Sequence, residues 1–402
     1  MPNELPPIAQ PRAIGAVVYP PDLRPEALLA AFAARLTERG FRLGGLLQET
    51  GDGDMALIEV DGGRRLSIKQ DLGPGSESCS LDVSALAEAS EALRRAVENR
   101  VDLLLVNKFS HQERGGRGFA PEMLTAMAEG VPLLTAVPAA AVADWTAFTG
   151  GGGQLLAPTE AALWRWWGAR RLYDDLAQGV GDTPVRRVVV GLNFTLVEGP
   201  DGVGLAQTPE RGTAGCAPAA PFAGRSLREL ATLVRSWNPF ELALGIAACN
   251  AHYNRFDLAA ENANGLDALA GEGRIVVIGG FPGIAARLPG ALVVERRPDP
   301  GEYPEEAAEW LLPAADAAVI TASTLTNRSL PRLLSLADRA RIALVGPGAP
   351  LTPRLFDYGV EVLAGVVATD VEGLAATVAE GGGAREVKRH CRQAILRRAE
   401  EG

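Results

Sequence analysis

The sequence predicts an α/β protein in three parts, and three observations carry that prediction. Short apolar runs recur at 13–19, 101–106, 131–137, 274–279, 291–295, 317–321 and 340–345. Runs of that length, stopped by polar, Gly or Pro residues, read as buried strands. Stretches with helical spacing lie between many of them, as at 25–39, where Leu28, Leu29, Phe32, Ala33 and Leu36 share one face. Strand and helix in alternation build a sheet covered on both faces. Finally, 402 residues exceed one ordinary core, so two or three domains are expected. Boundaries are placed at 1–155 for a three-layer α/β domain, 156–264 for a small α+β domain with a leading helix, and 265–402 for a second α/β domain.

In the first part, strands are expected at 13–19 and 41–47, followed by 55–60 and 64–68 around the turn Asp61-Gly62-Gly63. Helices are expected at 81–99 and 119–129, with strands at 101–106 and 131–137. After the first strand comes YPPDLRP at 19–25, where a phosphate-binding loop would sit. It has no lysine, and its prolines remove donors that a phosphate cradle needs. After Val106 comes NKFSHQERGGRG at 107–118, which mixes charges, a histidine and glycines at a strand end. Such a loop is either a ligand site or a solvated lead-in to the next helix. The four glycines 150–153 read as a flexible break.

The middle part starts with a tryptophan-rich helix at 158–178, whose indoles are read as core rather than as a stacking platform. Strands follow at 186–192, 194–197 and 202–207, and then a long loop at 208–224. Two helices come next, at 226–234 and from 238 to about 252. Asn238 caps the second and Pro239 takes its first turn. Its small residues, Ala243, Gly245, Ala247 and Ala248, let a neighbour pack close.

In the last part, RIVVIG at 274–279 runs into a turn and a short helix at 284–288, then a strand at 291–295. Gly279-Gly280 followed by Glu295 has part of the pattern of a dinucleotide site, but G-x-G-x-x-G is missing. A charged strand exit is the preferred reading of Glu295 to Pro298. A helix is expected at 307–312. The strand 317–321 ends in Thr321, Ser323, Thr324 and Asn327, where Ser323 or Thr324 caps a helix starting near Leu325, with or without holding a ligand. The strand 340–345 ends in GPGAPL at 346–351 and leads to a helix start at 354–356. Ligands of open α/β sheets sit outside the carboxyl ends of the strands, so both tips are expected to face one crevice. A strand at 361–366 and a basic-sided helix at 384–400 close the chain.

A net charge of −10, from 49 acidic and 39 basic groups, argues against nucleic-acid and anionic-membrane partners. The four cysteines lie far apart, the start of the chain is polar, and no apolar run is long enough for a membrane span, so a cytoplasmic protein is expected. With three histidines (His111, His252, His390) and no C-x-x-C, the chain is a poor soft-metal ligand by itself. His252 with Cys249, and His390 with Cys391, are read as structural.

The stretches IGAVVY (14–19), LLQ (46–48), SCSLD (78–82), VNKFSHQE (106–113), GVPLLTAV (130–137) and WTAF (145–148) resemble a P-loop-NTPase-like family of unknown function met beside molybdenum-transport genes. Where that fold places magnesium acids, this chain has Asn107 and Lys108, and Glu113 alone keeps an acid. With the phosphate loop also missing, the domain reads as degenerate. Residues 170–385 resemble the family named putative heavy-metal chelation, through VGLNFTLVE (190–198), GVGLA (202–206), SWNPFE (236–241), IGGFPG (278–283), ERRP (295–298), TLTN (324–327) and GPGAPL (346–351). That resemblance implies an enolase-N-terminal-like α+β domain, then a Rossmann-like domain, with a metal or metal-bearing ligand handled between them.

The candidate ligand-binding residues are Gly279, Phe281, Pro282, Glu295, Thr321, Ser323, Thr324, Asn327, Gly346, Pro347 and Gly348, with Asn238, Glu241 and Asn250 from the α+β part and Asn107, Lys108 and Glu113 from the first part. Hydroxyls, amides and glycine turns suit an oxyanion. Joined to the two resemblances, this implies as ligand a heavy metal, a molybdate-like oxyanion or a metal chelate. The alternative is an enzyme acting on a nucleotide or a tetrapyrrole-like metallocofactor precursor. No paired nucleophile and base supports covalent catalysis. Homo-oligomerisation stays open.

Overall fold

The computed structural model describes residues 13–50, 55–67, 83–210, 213, 221–222 and 224–399. It divides into two compact units, Met1–Trp166 and Trp167–Gly402. The second unit holds the expected α+β part from residue 167 on and the last α/β part, while 156–166 belong to the first unit.

The first unit contains β1 (Ile14–Tyr19), α1 (Glu26–Glu38), β2 (Leu43–Thr50), β3 (Met55–Glu59), β4 (Arg65–Ser67), α2 (Val83–Glu98), β5 (Leu103–Val106), α3 (His111–Arg114), α4 (Ala120–Glu129), β6 (Leu133–Pro138), α5 (Val142–Thr149) and β7 (Gln154–Leu156). Its sheet runs β4-β3-β2-β5-β6-β1-β7. β2, β5, β6, β1 and β7 are parallel, and β3 and β4 extend the edge as an antiparallel hairpin. β5 is buried along its whole length, as a strand covered on both faces must be. The core gathers Leu93, Leu104, Phe109, Met123 and Trp145. The glycines 150–153 are not a loose break: Gly150 takes a left-handed φ of 60°, which caps α5, and Gly151 N–H donates to Thr146 O at 2.9 Å. Gln154–Leu156 then pairs with β1.

α6 (Glu160–Gln178) leads into β8 (Arg187–Val190), β9 (Phe194–Glu198), β10 (Val203–Gln207), α7 (Leu227–Ala231) and α8 (Pro239–Tyr253). The three strands form an antiparallel sheet in the order β10-β9-β8. α8 is buried from Leu242 to Ala251. Its small residues lie against β10: a Cβ at Gly204 would sit 1.9 Å from Ala247 O, so the helix backbone rests on the strand backbone.

The last stretch comprises β11 (Ile275–Ile278), α9 (Ile284–Arg287), β12 (Leu292–Glu295), β13 (Tyr303–Pro304), α10 (Ala308–Leu311), β14 (Ala317–Thr321), α11 (Leu330–Leu336), β15 (Arg341–Val345), β16 (Val360–Ala368), α12 (Val371–Ala379), α13 (Ala384–Val387) and β17 (Cys391–Arg397). Its sheet order is β13-β12-β11-β14-β15-β16-β17. All pairs are parallel except β16 with β17. From β11 the chain builds outward first to β12 and then, past β11, to β14. The tips of β11 and β14 therefore flank the switch point, where a doubly wound sheet leaves a crevice.

Several expectations are corrected here. The helix at 384–400 stops after one turn, and Cys391–Arg397 forms a strand that pairs with β16 across seven residue positions. Cys391 is therefore not on a solvated helix, and His390 bonds Asp370 Oδ2 at 2.8 Å and Thr377 Oγ1 at 3.0 Å. Past β14 the chain makes a 3-10 turn at Ala322–Leu325 whose cap is Thr321, not Ser323 or Thr324, and the α-helix starts only at Leu330. The expected helix at 354–356 is a 3-10 turn, Pro353–Tyr358. The stretch 78–82, most of the loop 208–224, Cys79 and Cys216 lie outside the described residues.

Candidate functional site

β11 is a run of four buried aliphatics and cannot continue past Ile278, because Gly279 turns at a φ of +100°. A Cβ on Gly279 would lie 2.5 Å from Thr321 Cγ2, so the β11 and β14 tips approach as only glycine permits. Beside them opens a cavity of about 950 Å³ inside the second unit. Gly279, Gly280, Glu295, Thr321, Ser323, Thr324, Thr326, Asn327 and Ser329 line its strand-tip side. Gln207, Thr208, Glu210 and Pro239 line it from the α+β part, and Glu305, Glu306, Glu309, Trp310 and Arg332 from the crossover connections.

The hydroxyls at the β14 tip form a local network. Thr324 Oγ1 donates to Thr321 O at 2.6 Å, and Thr326 Oγ1 to Ser323 O at 2.9 Å. Ser323 Oγ donates to Thr321 Oγ1 at 3.2 Å. Ser329 N–H and Oγ–H both go to Asn327 Oδ1, at 3.0 and 2.7 Å. Thr321 Oγ1 accepts from Ser323 and so keeps its own proton to donate. The wall is held by Arg328, whose Nη2 donates to Val234 O and Ser236 O, both at 2.6 Å, while its guanidinium sits 5.0 Å from the Tyr173 and Trp237 ring centres. At the rim, Arg297 bonds Glu210 at 2.8 Å, Arg296 lies 3.8 Å from Glu210 and 3.7 Å from Glu305, and Arg332 pairs with Glu309.

Six expected residues thus meet in one cavity: Gly279, Glu295, Thr321, Ser323, Thr324 and Asn327. The others are placed elsewhere. Gly346, Pro347 and Gly348 do not line it, and the turn after β15 is closed by α8. Asn250, 0% exposed, donates through Nδ2 to Gly348 O at 2.9 Å and to Leu205 O at 2.7 Å. Asn254 donates to Ala349 O at 3.0 Å and accepts from Leu351 N–H at 2.8 Å. These amides hold backbone, so Asn250 serves the fold. Asn238 caps α8 by accepting from Phe240 N–H at 3.0 Å, and Glu241 bonds Ser236 Oγ. Phe281 packs on the core below the sheet tip, and Pro282 is outside the cavity lining.

In the first unit, Glu113 is a local brace. It accepts from Ser110 N–H at 2.9 Å and Phe119 N–H at 3.1 Å. Asn107 is buried, and neither side-chain amide atom has a partner among the described residues. Lys108 is half-buried beside it. Pro20-Pro21 follow β1, and α1 starts at Glu26 without a side-chain cap, so no cradle of donors forms there.

Among the described residues, no three His, Cys, Asp or Glu stand together to hold a metal ion. Cys249 is fully buried, and burial pushes its thiol up to about 12. Burial also holds His252 below its usual range, while its Nδ1 accepts from Gly181 N–H. Among the described residues, the side chains therefore do not fit a bare heavy-metal ion. No described helix is long and apolar enough to cross a membrane.

Residues 173–253 and 264–397 match two family profiles that share the description "Putative heavy-metal chelation". The second unit belongs to this family. Residues 14–166 match a family described as a protein of unknown function. A solved family member of unknown function from Desulfitobacterium hafniense is 29% identical, with a TM-score of 0.51, and the match covers 57% of this chain and 99% of that one. A second, from Pyrococcus horikoshii, is 24% identical with a TM-score of 0.50 over the same shares, and shares the fold. Over 163 residues the chain is 41% identical to the Molybdenum import ATP-binding protein ModC 2 of Bradyrhizobium diazoefficiens, which is 39% of this chain and 18% of that relative's length.

Sequence reasoning missed Trp310, Glu305, Glu306, Glu309 and Arg332. They lie on crossover connections, and the strand-tip rule used to find the site does not reach them. The run of acids around one tryptophan, EEAAEW at 305–310, was the available signal.

Proposed function

We propose that the cavity of the second unit binds a small metal-bearing ligand, a heavy metal in a chelate or a metal oxyanion of the molybdate kind, as cargo of a binding or handling protein. The observation that carries this reading is the hollow at the β11–β14 switch point. It is lined by glycine backbone, hydroxyls, an amide and one carboxylate from six residues the sequence marks out. The family description supports the metal, and the name of the first unit's relative supports molybdenum. The ligand supplies the metal; Thr321 and Asn327 supply directional donors, and the Gly279 turn supplies close backbone approach.

Equilibrium dialysis of the full chain with molybdate, tungstate and divalent metals, each alone and as its citrate chelate, tests this at ~100 μM, because specific small-ligand sites are micromolar or better. Uptake near one per chain that falls at least tenfold in Thr321→Val supports the reading. No uptake of any of them overturns it.

A further inference from the structure

The cavity is too large, and its rim too acidic, for a bare oxyanion to be its whole ligand. A four-oxygen anion fills on the order of 100 Å³, scaled from about 30 Å³ per water. The cavity measures about 950 Å³, the size that encloses an organic molecule. Five glutamates line it (Glu210, Glu295, Glu305, Glu306, Glu309) against three arginines, and each arginine already faces a glutamate. Such a lining favours a ligand that brings hydrogen-bond donors to carboxylates.

Two residues say where those features go. Glu295 ends β12, the strand beside β11, and its Oε1 lies 3.9 Å from where a Gly280 Cβ would be. Its Oε2 accepts from Arg296 N–H at 3.1 Å, and Oε1 takes no hydrogen bond among the described residues. An acid at this strand tip of a doubly wound sheet is placed to accept from a vicinal pair of ribose hydroxyls. Trp310 lines the same cavity with 74% of its surface open to solvent. An indole left that bare at a cavity mouth is a stacking surface for a flat ring.

Building on the metal-ligand reading above, we infer that the organic body of the ligand is nucleoside-like: a flat heteroaromatic ring stacked on Trp310 and a vicinal diol held by Glu295. Its charged end then faces the Gly279 turn and the Thr321 hydroxyl.

Isothermal titration of the full chain tests this, using adenosine and guanosine monophosphates, their 2′,3′-dideoxy forms, ribose 5-phosphate and molybdate as probes. At least one ribonucleotide is expected to bind below ~100 μM. Trp310→Ala should weaken it about 10- to 100-fold, the range of a lost base–aromatic stack. Glu295→Gln should weaken the ribonucleotide at least fivefold and leave the dideoxy form unchanged. Both side chains lie at the cavity surface, and an unchanged melting temperature confirms that the variants are folded. Nucleotide binding untouched by either substitution overturns the inference by placing that binding elsewhere in the chain. Molybdate or chelate binding that depends on Thr321, with no nucleotide binding, overturns the inference and leaves the metal-ligand reading standing. No binding by any probe removes both.

Discussion

β14 and β15 are neighbours in one sheet, and both run from buried aliphatics into a turn of small and polar residues. Past β14, the turn at Ala322–Leu325 satisfies itself with its own hydroxyls and faces a cavity. Past β15, the turn at 346–351 is filled by amides from α8 and its C-cap Asn254, which take the Gly348 and Ala349 carbonyls and the Leu351 N–H. The difference lies in what packs above each tip. Above β15 stands a helix close enough to touch, with Asn250 and Asn254 on the facing side. Above β14, among the described residues, the adjoining part of the unit contributes Pro239, residues 207–210 and Thr213, which leave room. A glycine-rich strand tip is a permissive backbone, and its neighbours decide whether it becomes a site.

The sharpest way to break this contrast is Asn254→Leu. It leaves Ala349 O and Leu351 N–H buried without their partner, at a cost of about 3–5 kcal/mol, to be read as a lower denaturant midpoint for the second unit. Hydrogen exchange should quicken at Leu351 and stay slow in β14. On the open side, Gly279→Ala forces a left-handed alanine against Thr321 Cγ2, which should cost about 2 kcal/mol and weaken cavity ligands at least tenfold. Full binding by that variant would show that the tip geometry is not used. Thr324→Val removes one buried hydroxyl bond to Thr321 O, and should cost about 1 kcal/mol in thermal unfolding.

The smallest effect expected is a pH dependence away from both tips. Asp370 is held below the usual carboxylate range first by Gly373 N–H and then by His390. Its contribution is whole above the ordinary value of roughly 3.9 and fades as pH falls through the lower, folded value. Melting temperatures of wild type and Asp370→Asn should differ at pH 5 and converge as the pH falls further into acid. A gap that widens in acid would contradict the assignment.

The alternation of buried runs and helical spacing was readable because those periods are local. So was the β11–β14 side of the cavity, since strand tips are marked by where apolar runs stop. The end of the chain was not: Val387, Cys391 and Ile395 recur at helical intervals, and only the distant partner β16 makes 391–397 a strand. The fate of Asn250 was hidden for the same reason, as its bonds reach 45 and 98 residues along the chain. Trp310 and its acids were hidden because crossover segments carry no strand-tip mark.

The asparagine clamp has a further consequence. Cohesion between α8 with its C-cap and the sheet resides at 346–351, while the hollow is lined from 295, 310 and 321–327. The two sets share no residue, so the guest-facing side chains can be exchanged without loosening the joint. The mouth of the hollow can therefore be rewritten without touching that joint.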